Sequence, residues 1–211
     1  MDHLRWFYVA LSLAVGGASH ASVVGMDSRF HASGSLSTGE SVQAWHLYVV
    51  FDEPATILNI FDADIVFGGT LYQTGAPFGG DTPPNSGFFG FDPDLQWDTY
   101  VSIGVMDSTV SDDTTTDPDF AFGSNTISGG WFDANPATPD GATDGTFPAE
   151  VFVGQVSVVG SARGLGGSIR SIGVTYRDAA GAIVQEIVWW PTPGTGFALL
   201  AGLGLASRRR R

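Results

Sequence analysis

Apolar and polar residues alternate along much of this chain with the period of two that marks strands, and no segment holds a helical period over three turns. The clearest run is residues 42–52, VQAWHLYVVFD. Trp45, Leu47, Val49 and Phe51 fall on one face there, and Gln43, Ala44, His46, Tyr48 and Val50 on the other. The first four are expected in the core, and Pro54 ends the strand. Residues 95–106 alternate in the same way, with Trp97, Thr99, Val101, Ile103 and Val105 on one face. Apolar runs at 55–61 and 64–72 are interrupted at Asp62 and at Gly68-Gly69, and 120–122 and 125–132 read as short, irregular strands. The last third is more regular, with strands expected at 150–159, 168–177 and 182–190. The final two are joined by Asp178-Ala179-Ala180-Gly181, whose glycine supplies the positive φ that a tight hairpin needs.

Between these runs lie a Gly/Pro-rich loop at 74–94 carrying Phe88, Phe89 and Phe91, an acidic loop at 107–119, and an Asp/Pro/Gly loop at 133–148. Eight or so short strands in one body predict an all-β chain, an antiparallel β-sandwich of jelly-roll-like form, with no internal repeat of fixed period. The block FPAEVFVGQVSVVG followed by a hairpin is similar to cohesin-like and other jelly-roll sandwiches of secreted bacterial proteins. That likeness covers under a quarter of the chain and implies no site.

Composition narrows the chemistry. The 211 residues contain 29 glycines and 11 prolines, no cysteine and no lysine. The length suits one domain with its own core. Without cysteine there is no disulfide, thiolate zinc site, iron–sulfur cluster or thiol catalysis. Without lysine there is no Walker-type phosphate loop, Schiff base or Ser-Lys dyad. Residues 22–196 hold 21 acidic side chains against four arginines, a net charge of −17. Such a body repels nucleic acid and anionic lipid and gathers cations, so nucleic-acid binding is not expected.

Both ends carry address-like segments. Residues 1–21, MDHLRWFYVALSLAVGGASHA, place Arg5 before an apolar stretch and end in small residues, which predicts a signal peptide cut by signal peptidase after Ala21, with Ala18 the alternative. Residues 191–211, PTPGTGFALLAGLGLASRRRR, combine a Pro/Gly break, an apolar run and a terminal arginine cluster. The order of these parts resembles the PEP-CTERM sorting signal of exosortase substrates. The Pro-Glu-Pro box of that family matches Pro191, Thr192 and Pro193, with threonine at the centre, and its basic cluster matches Arg208, Arg209, Arg210 and Arg211. The resemblance implies export, sorting by an exosortase-like enzyme with cleavage near Pro191–Pro193, and a cell-surface or extracellular location after transient anchoring in the inner membrane. The apolar run 197–206 covers only about 15 Å as a helix, against the roughly 20 residues of a stable span, so it reads as a transient transmembrane helix. Trp189 and Trp190 suit either the end of the last strand or an interfacial belt. The expected division is therefore 1–21 signal peptide, 22–190 sandwich and 191–211 sorting tail.

The body offers three kinds of candidate chemistry, each with a bland counterpart. Asp107, Asp112, Asp113, Asp117 and Asp119 suit a structural Ca²⁺, because hard cations take several oxygens from closely spaced carboxylates, and Asp133, Asn135, Asp140 and Asp144 form a second such group. Neither follows the EF-hand order, and solvated acidic loops are the alternative. No other cofactor is expected. Trp131 and Phe132, and next Phe88 and Phe89, suit stacking on the C–H face of a sugar in an extracellular polysaccharide, against core packing as the commoner fate of such rings. Glu40, Glu53, Glu150 and Glu186 with the aspartates leave a glycosidase pair conceivable, and His31 and His46 are the histidines beyond the signal, but no Gly-x-Ser-x-Gly elbow occurs. The expectation is a non-enzymatic, exported cell-surface or matrix protein with a structural or adhesive role, a carbohydrate-binding module being the alternative and a hydrolase third. An exposed aromatic strip on one sheet face would favour binding, two facing carboxylates in a cleft hydrolysis, and a featureless sandwich the structural role.

Overall fold

The computed structural model describes residues 21–189, apart from 76, 110–111, 144, 146–147, 161–164 and 166–167. Asp144, Trp190, the sorting tail 191–211 and all of the expected signal segment except Ala21 lie outside the described residues. The strands are β1 (Val23–Ser35), β2 (Ser41–Phe51), β3 (Ala55–Val66), β4 (Thr70–Leu71), β5 (Tyr100–Val101), β6 (Thr114–Thr116), β7 (Ala121–Phe122), β8 (Thr126–Asp133), β9 (Ala149–Val159), β10 (Ser168–Asp178) and β11 (Ile183–Val188). One sheet runs β1-β2-β9-β4 with β5 also on β9, and the other runs β11-β10-β3-β8-β6 with β7 also on β8. Every pairing is antiparallel. Helix among the described residues is limited to two short 3-10 turns. The chain is thus an all-β sandwich of two antiparallel sheets.

The core lies between the sheets. Leu47, Val49 and Phe51 of β2 and Val151, Val153, Val156 and Val158 of β9 face Ile57, Ile60 and Ile65 of β3, Ile127 and Trp131 of β8, and Ile172, Val174 and Tyr176 of β10. Fully burying each aliphatic side chain contributes about 1.5–3 kcal/mol. That burial, with no disulfide to help, holds the body together. The hairpin at 178–181 forms as expected, with Gly181 at φ 87°.

Four local expectations need correction. Trp45 shares a strand face with Leu47 but is only half-buried, against the edge of Phe30, and stands outside the main core, while Leu47, Val49 and Phe51 are buried. The interruption expected at Asp62 is absorbed within β3: Asp62 takes a left-handed φ of 48° and the pairing slips there, so the strand continues to Val66. The regular strand expected at 95–106 exists only as Tyr100–Val101. Asp92 caps a 3-10 turn over Pro93–Trp97, and Leu95, Asp98, Thr99, Tyr100, Val101, Ser102 and Ile103 are all buried. A segment covered on every side has no solvent face, so its alternation carried no strand information. Finally β1, thirteen residues long, was not anticipated, because two pairing slips break its alternation.

Candidate functional site: a cleft on the outer face of the first sheet

Two irregularities assemble one patch. On β1 the pairing with β2 slips between Phe30 and Ala32, leaving His31 as an extra residue whose ring lies on that of His46, centroids 4.0 Å apart and planes within 16°. On β2 and β9 it slips between Leu47 and Tyr48, so that His46 opposes Gln155 and Tyr48 opposes Phe152. Bulges re-aim side chains in this way. The result is a cluster outside the main core in which His46 also meets Phe152 edge-on (5.1 Å) and Phe152 meets Tyr48 and Tyr100. Arg29 lies over the Tyr48 ring at 4.6 Å and donates to both carboxylate oxygens of Glu150 (2.6 and 2.5 Å). That pair holds the Arg29 guanidinium firmly protonated.

The roof comes from residues 84–97, which fold back over this face, while Tyr72 and residues 100–104 run along the edge of β9. Trp97 packs on Leu36, Val42 and Ala44 to make a second, smaller core, and its ring occupies the space a side chain at Gly34 would need, 2.4 Å from an ideal Cβ. The buried Asp98 carboxylate accepts from the N–H groups of Thr74 (2.7 Å) and Gly80 (3.4 Å). Thr99 donates its N–H to the Tyr72 carbonyl, and its hydroxyl accepts from the Ser157 N–H. Burial pushes the Asp98 carboxyl up to about 7 against the pull of those N–H donors. Between roof and sheet opens a cleft of about 280 Å³ lined by His31, His46, Gln155, Tyr100, Trp97 and Phe89, among others.

Gln155 fixes the polar chemistry of the floor. Its Nε2 donates to the carbonyls of Gln96 (3.0 Å) and Asp98 (2.9 Å), so its Oε1 is the acceptor toward His46 Nε2 at 3.2 Å. An amide oxygen only accepts, so His46 carries its proton on Nε2. Burial, then the neighbouring His31, hold its pKa down to about 4, so the ring is neutral across the physiological range. The cleft thus offers flat rings, a neutral imidazole and amides, and none of its lining residues is a carboxylate.

The sequence-expected residues fall elsewhere in the main. Trp131 takes the commoner of its two expected fates, core packing, and is not a sugar platform: it is 1% exposed, and its Nε1 donates to the Ser102 carbonyl at 3.0 Å. Phe132, its neighbour on the strand, is half-buried and opposes Asn59 on the other face of the second sheet, away from Trp131. Phe89 does line the cleft; Phe88 is exposed beside Phe78, 5.0 Å between rings, and Phe91 is 82% exposed on the same turn. The four glutamates lie outside the cleft lining: Glu150 binds Arg29, Glu186 accepts from Val23 N–H and the Tyr176 hydroxyl, Glu40 accepts from Thr38, and Glu53 is exposed.

The five aspartates of the acidic loop separate. Asp107 accepts from the N–H groups of Ser86 and Thr109, and Asp117 and Asp119 flank the turn between β6 and β7. Asp112 and Asp113 instead join Asp133, Asn135 and Asp140 of the other loop: Asp113 is reached by Asn135 Nδ2 at 3.4 Å, and its carbonyl by Ala134 N–H. Burial, then mutual repulsion within this group, raises the pKa of both Asp112 and Asp133. Among the described residues no three His, Asp or Glu side chains stand close enough together to hold a metal ion as placed. The His31–His46 pair escaped the sequence reading because β1 was unrecognised, and a bulge leaves no periodic trace.

No protein-family model matches the chain, no curated protein is detectably similar to it, and no solved structure matches its fold.

Proposed function

We propose that this chain is an exported, non-enzymatic cell-surface or extracellular-matrix protein that adheres to a neutral polysaccharide through the cleft on the outer face of its first sheet. The proposal includes a jelly-roll-like body, an N-terminal signal peptide removed by signal peptidase, and a C-terminal apolar helix with an arginine cluster, a variant PEP-CTERM tag handled by an exosortase-like enzyme. The observation that carries it is the composition of the cleft. Phe89 and the stacked imidazoles of His31 and His46 present rings to a concavity of about 280 Å³, and the His46 imidazole and the Gln155 oxygen supply the polar atoms of its floor. Flat rings pack against sugar C–H faces while amides and imidazoles bond hydroxyls. A body at −17 disfavours uronic-acid and sulfated chains, which selects neutral glycans. Rings and amides with no carboxylate suit retention better than hydrolysis.

The test is retention of the purified protein on a panel of neutral and acidic polysaccharides. Binding to at least one neutral glycan is expected, weakened tenfold or more by Phe89→Ala and Gln155→Ala with the fold intact by circular dichroism. Failure of the wild-type protein across the neutral panel, or equal binding by both variants, overturns the reading.

A further inference from the structure

Three of the exposed large apolar side chains among the described residues lie on one face of one strand. Val184, Glu186 and Val188 of β11 turn inward, and Ile183, Ile187 and Trp189 on the opposite face are 65, 59 and 70% exposed. Trp189 follows the last residue of the strand and keeps its phase. At about 3.3 Å per residue the strip is about 20 Å long. Ile187 pairs with Gly173 of β10, and the Phe61 ring of β3 covers that glycine, so the apolar surface widens inward from the sheet edge. Edge strands commonly blunt such a surface with charge or proline. The outward face of β11 has neither, and its one amide, Gln185, is tied to the Thr175 hydroxyl at 3.1 Å.

Charge is withdrawn from this strip although the body as a whole is strongly acidic. The one acid of β11, Glu186, faces inward and accepts from the Val23 N–H and the Tyr176 hydroxyl. Asp178, where the hairpin begins, is buried. The exposed Asp62 and Asp64 of the same sheet belong to β3, two strands away. Beside Ile183 stands its cross-strand partner Arg177, exposed and in no ion pair among the described residues. This edge of a body at −17 is therefore apolar, with an arginine at one end and no outward carboxylate on its own strand.

The chain leaves the described body from this strand, and the segment 191–211, with its apolar run and four arginines, follows within two residues of Trp189. Whatever surface holds that tail therefore comes nearest to β11. Resting on the reading of 191–211 as a membrane-inserted tail, we infer that the outward face of β11 is a lipid-docking edge: Ile183, Ile187 and Trp189 lie in the headgroup region of a zwitterionic bilayer, and Arg177 meets lipid phosphate. Indole rings favour that interface, and an arginine stem covers apolar surface while its guanidinium reaches phosphate. A second copy of the chain suits the strip less, because bringing two bodies at −17 together adds a repulsion that zwitterionic lipid lacks. The cleft lies on the outer face of the other sheet, so docking by this edge leaves it turned away from the lipid and open to its ligand.

The protein has no cysteine, so one introduced thiol carries a fluorophore to a chosen site. The mature chain, residues 22–211 with its tail intact, is labelled at Gln185→Cys, between the two isoleucines, or at Ser33→Cys, exposed on β1 in the other sheet, and reconstituted with phosphatidylcholine vesicles. Co-flotation with the vesicles reports the tail, and quenching of the label by acrylamide reports the strip. Both labelled proteins are expected to co-float, with vesicles reducing quenching threefold or more at position 185 and leaving it unchanged at position 33. Ile183→Ser combined with Ile187→Ser should restore quenching at position 185 while co-flotation persists. Both isoleucines are exposed, so that pair should keep the fold, as circular dichroism checks. Co-flotation with position 185 as open to acrylamide as position 33 overturns the inference and leaves the tail reading standing, whereas no co-flotation overturns both. Shielding at position 185 in lipid-free solution that grows with protein concentration identifies a second copy as the occupant and also overturns the inference.

Discussion

Replacing Asp98 by asparagine is expected to remove part of the protein's loss of stability as pH rises. The Asp98 side chain is wholly buried beneath the roof of the cleft, and burial lifts its carboxyl from 3.8 to about 7. Between those values the folded protein holds a proton that the unfolded chain has released. The group's contribution to stability is therefore greatest below about 3.8 and declines as pH rises to about 7, by about 1.4 kcal/mol per unit and about 4 kcal/mol in all. Asparagine reproduces the protonated carboxyl: its oxygen still accepts from Thr74 N–H, and only the long 3.4 Å bond from Gly80 is at stake. Asp98→Asn should match the wild-type protein within about 1 kcal/mol at pH 4 and exceed it by up to about 4 kcal/mol above pH 7.5, roughly 10 °C in melting temperature. Urea unfolding followed by tryptophan fluorescence at half-unit steps from pH 4 to 8.5 measures the difference directly. A variant that tracks the wild-type protein across that range, or is less stable than it at pH 8, refutes the reasoning.

His46 acts in the opposite direction. Its folded pKa of about 4 lies below the usual 6.5, so the stability due to its neutral ring is complete above pH 6.5 and lost as pH falls toward 4, by about 1–2 kcal/mol once its partly exposed position is allowed for. His46→Gln should therefore be less sensitive to acid than the wild-type protein between pH 6.5 and 4, as read by the same urea titration. Trp131→Ala should cost about 3–5 kcal/mol through the cavity it leaves, with the Ser102 carbonyl orphaned as well. At a temperature where that variant remains folded, its retention on a neutral glycan should equal the wild-type value; a selective loss of binding would return Trp131 to the ligand site.

Strands were legible where one side met the core and the other did not, as from Leu47 to Phe51 of β2, because burial and alternation then report the same thing; β9, buried from Val151 to Val158, was legible instead from its apolar run. The pattern failed where both sides are covered. Residues 98–103 alternate on paper, yet Asp98, Thr99 and Ser102 are as buried as Val101 and Ile103. It failed again at the bulges, where an extra residue shifts the phase and leaves no mark in composition. The cleft depends on two such slips, so its members, His31 in β1 and Gln155 in β9, are 124 positions apart and unrelated by any spacing. The acidic residues were legible only as density along the chain: the register of β6 on β8, which sets Thr114 against Asp133, brings the 112–113 and 133–135 segments together across a gap that no spacing in the sequence marks.

The first and last described segments of the body are clasped to each other. Glu186 on β11 accepts the Val23 N–H at 2.9 Å through one oxygen and the Tyr176 hydroxyl at 2.9 Å through the other, and that hydroxyl also lies 2.5 Å from the Ala21 carbonyl. Were the body held at a surface by its tail, as proposed, tension would arrive through β11, an edge strand of six residues whose backbone pairs with β10 among the described residues. The clasp carries part of that load across to β1 in the opposite sheet, so peeling β11 away also means tearing Glu186 from Val23. The mechanical strength of the attachment would then be set at this corner, by one carboxylate and two donors, while the apolar core behind it stays unloaded.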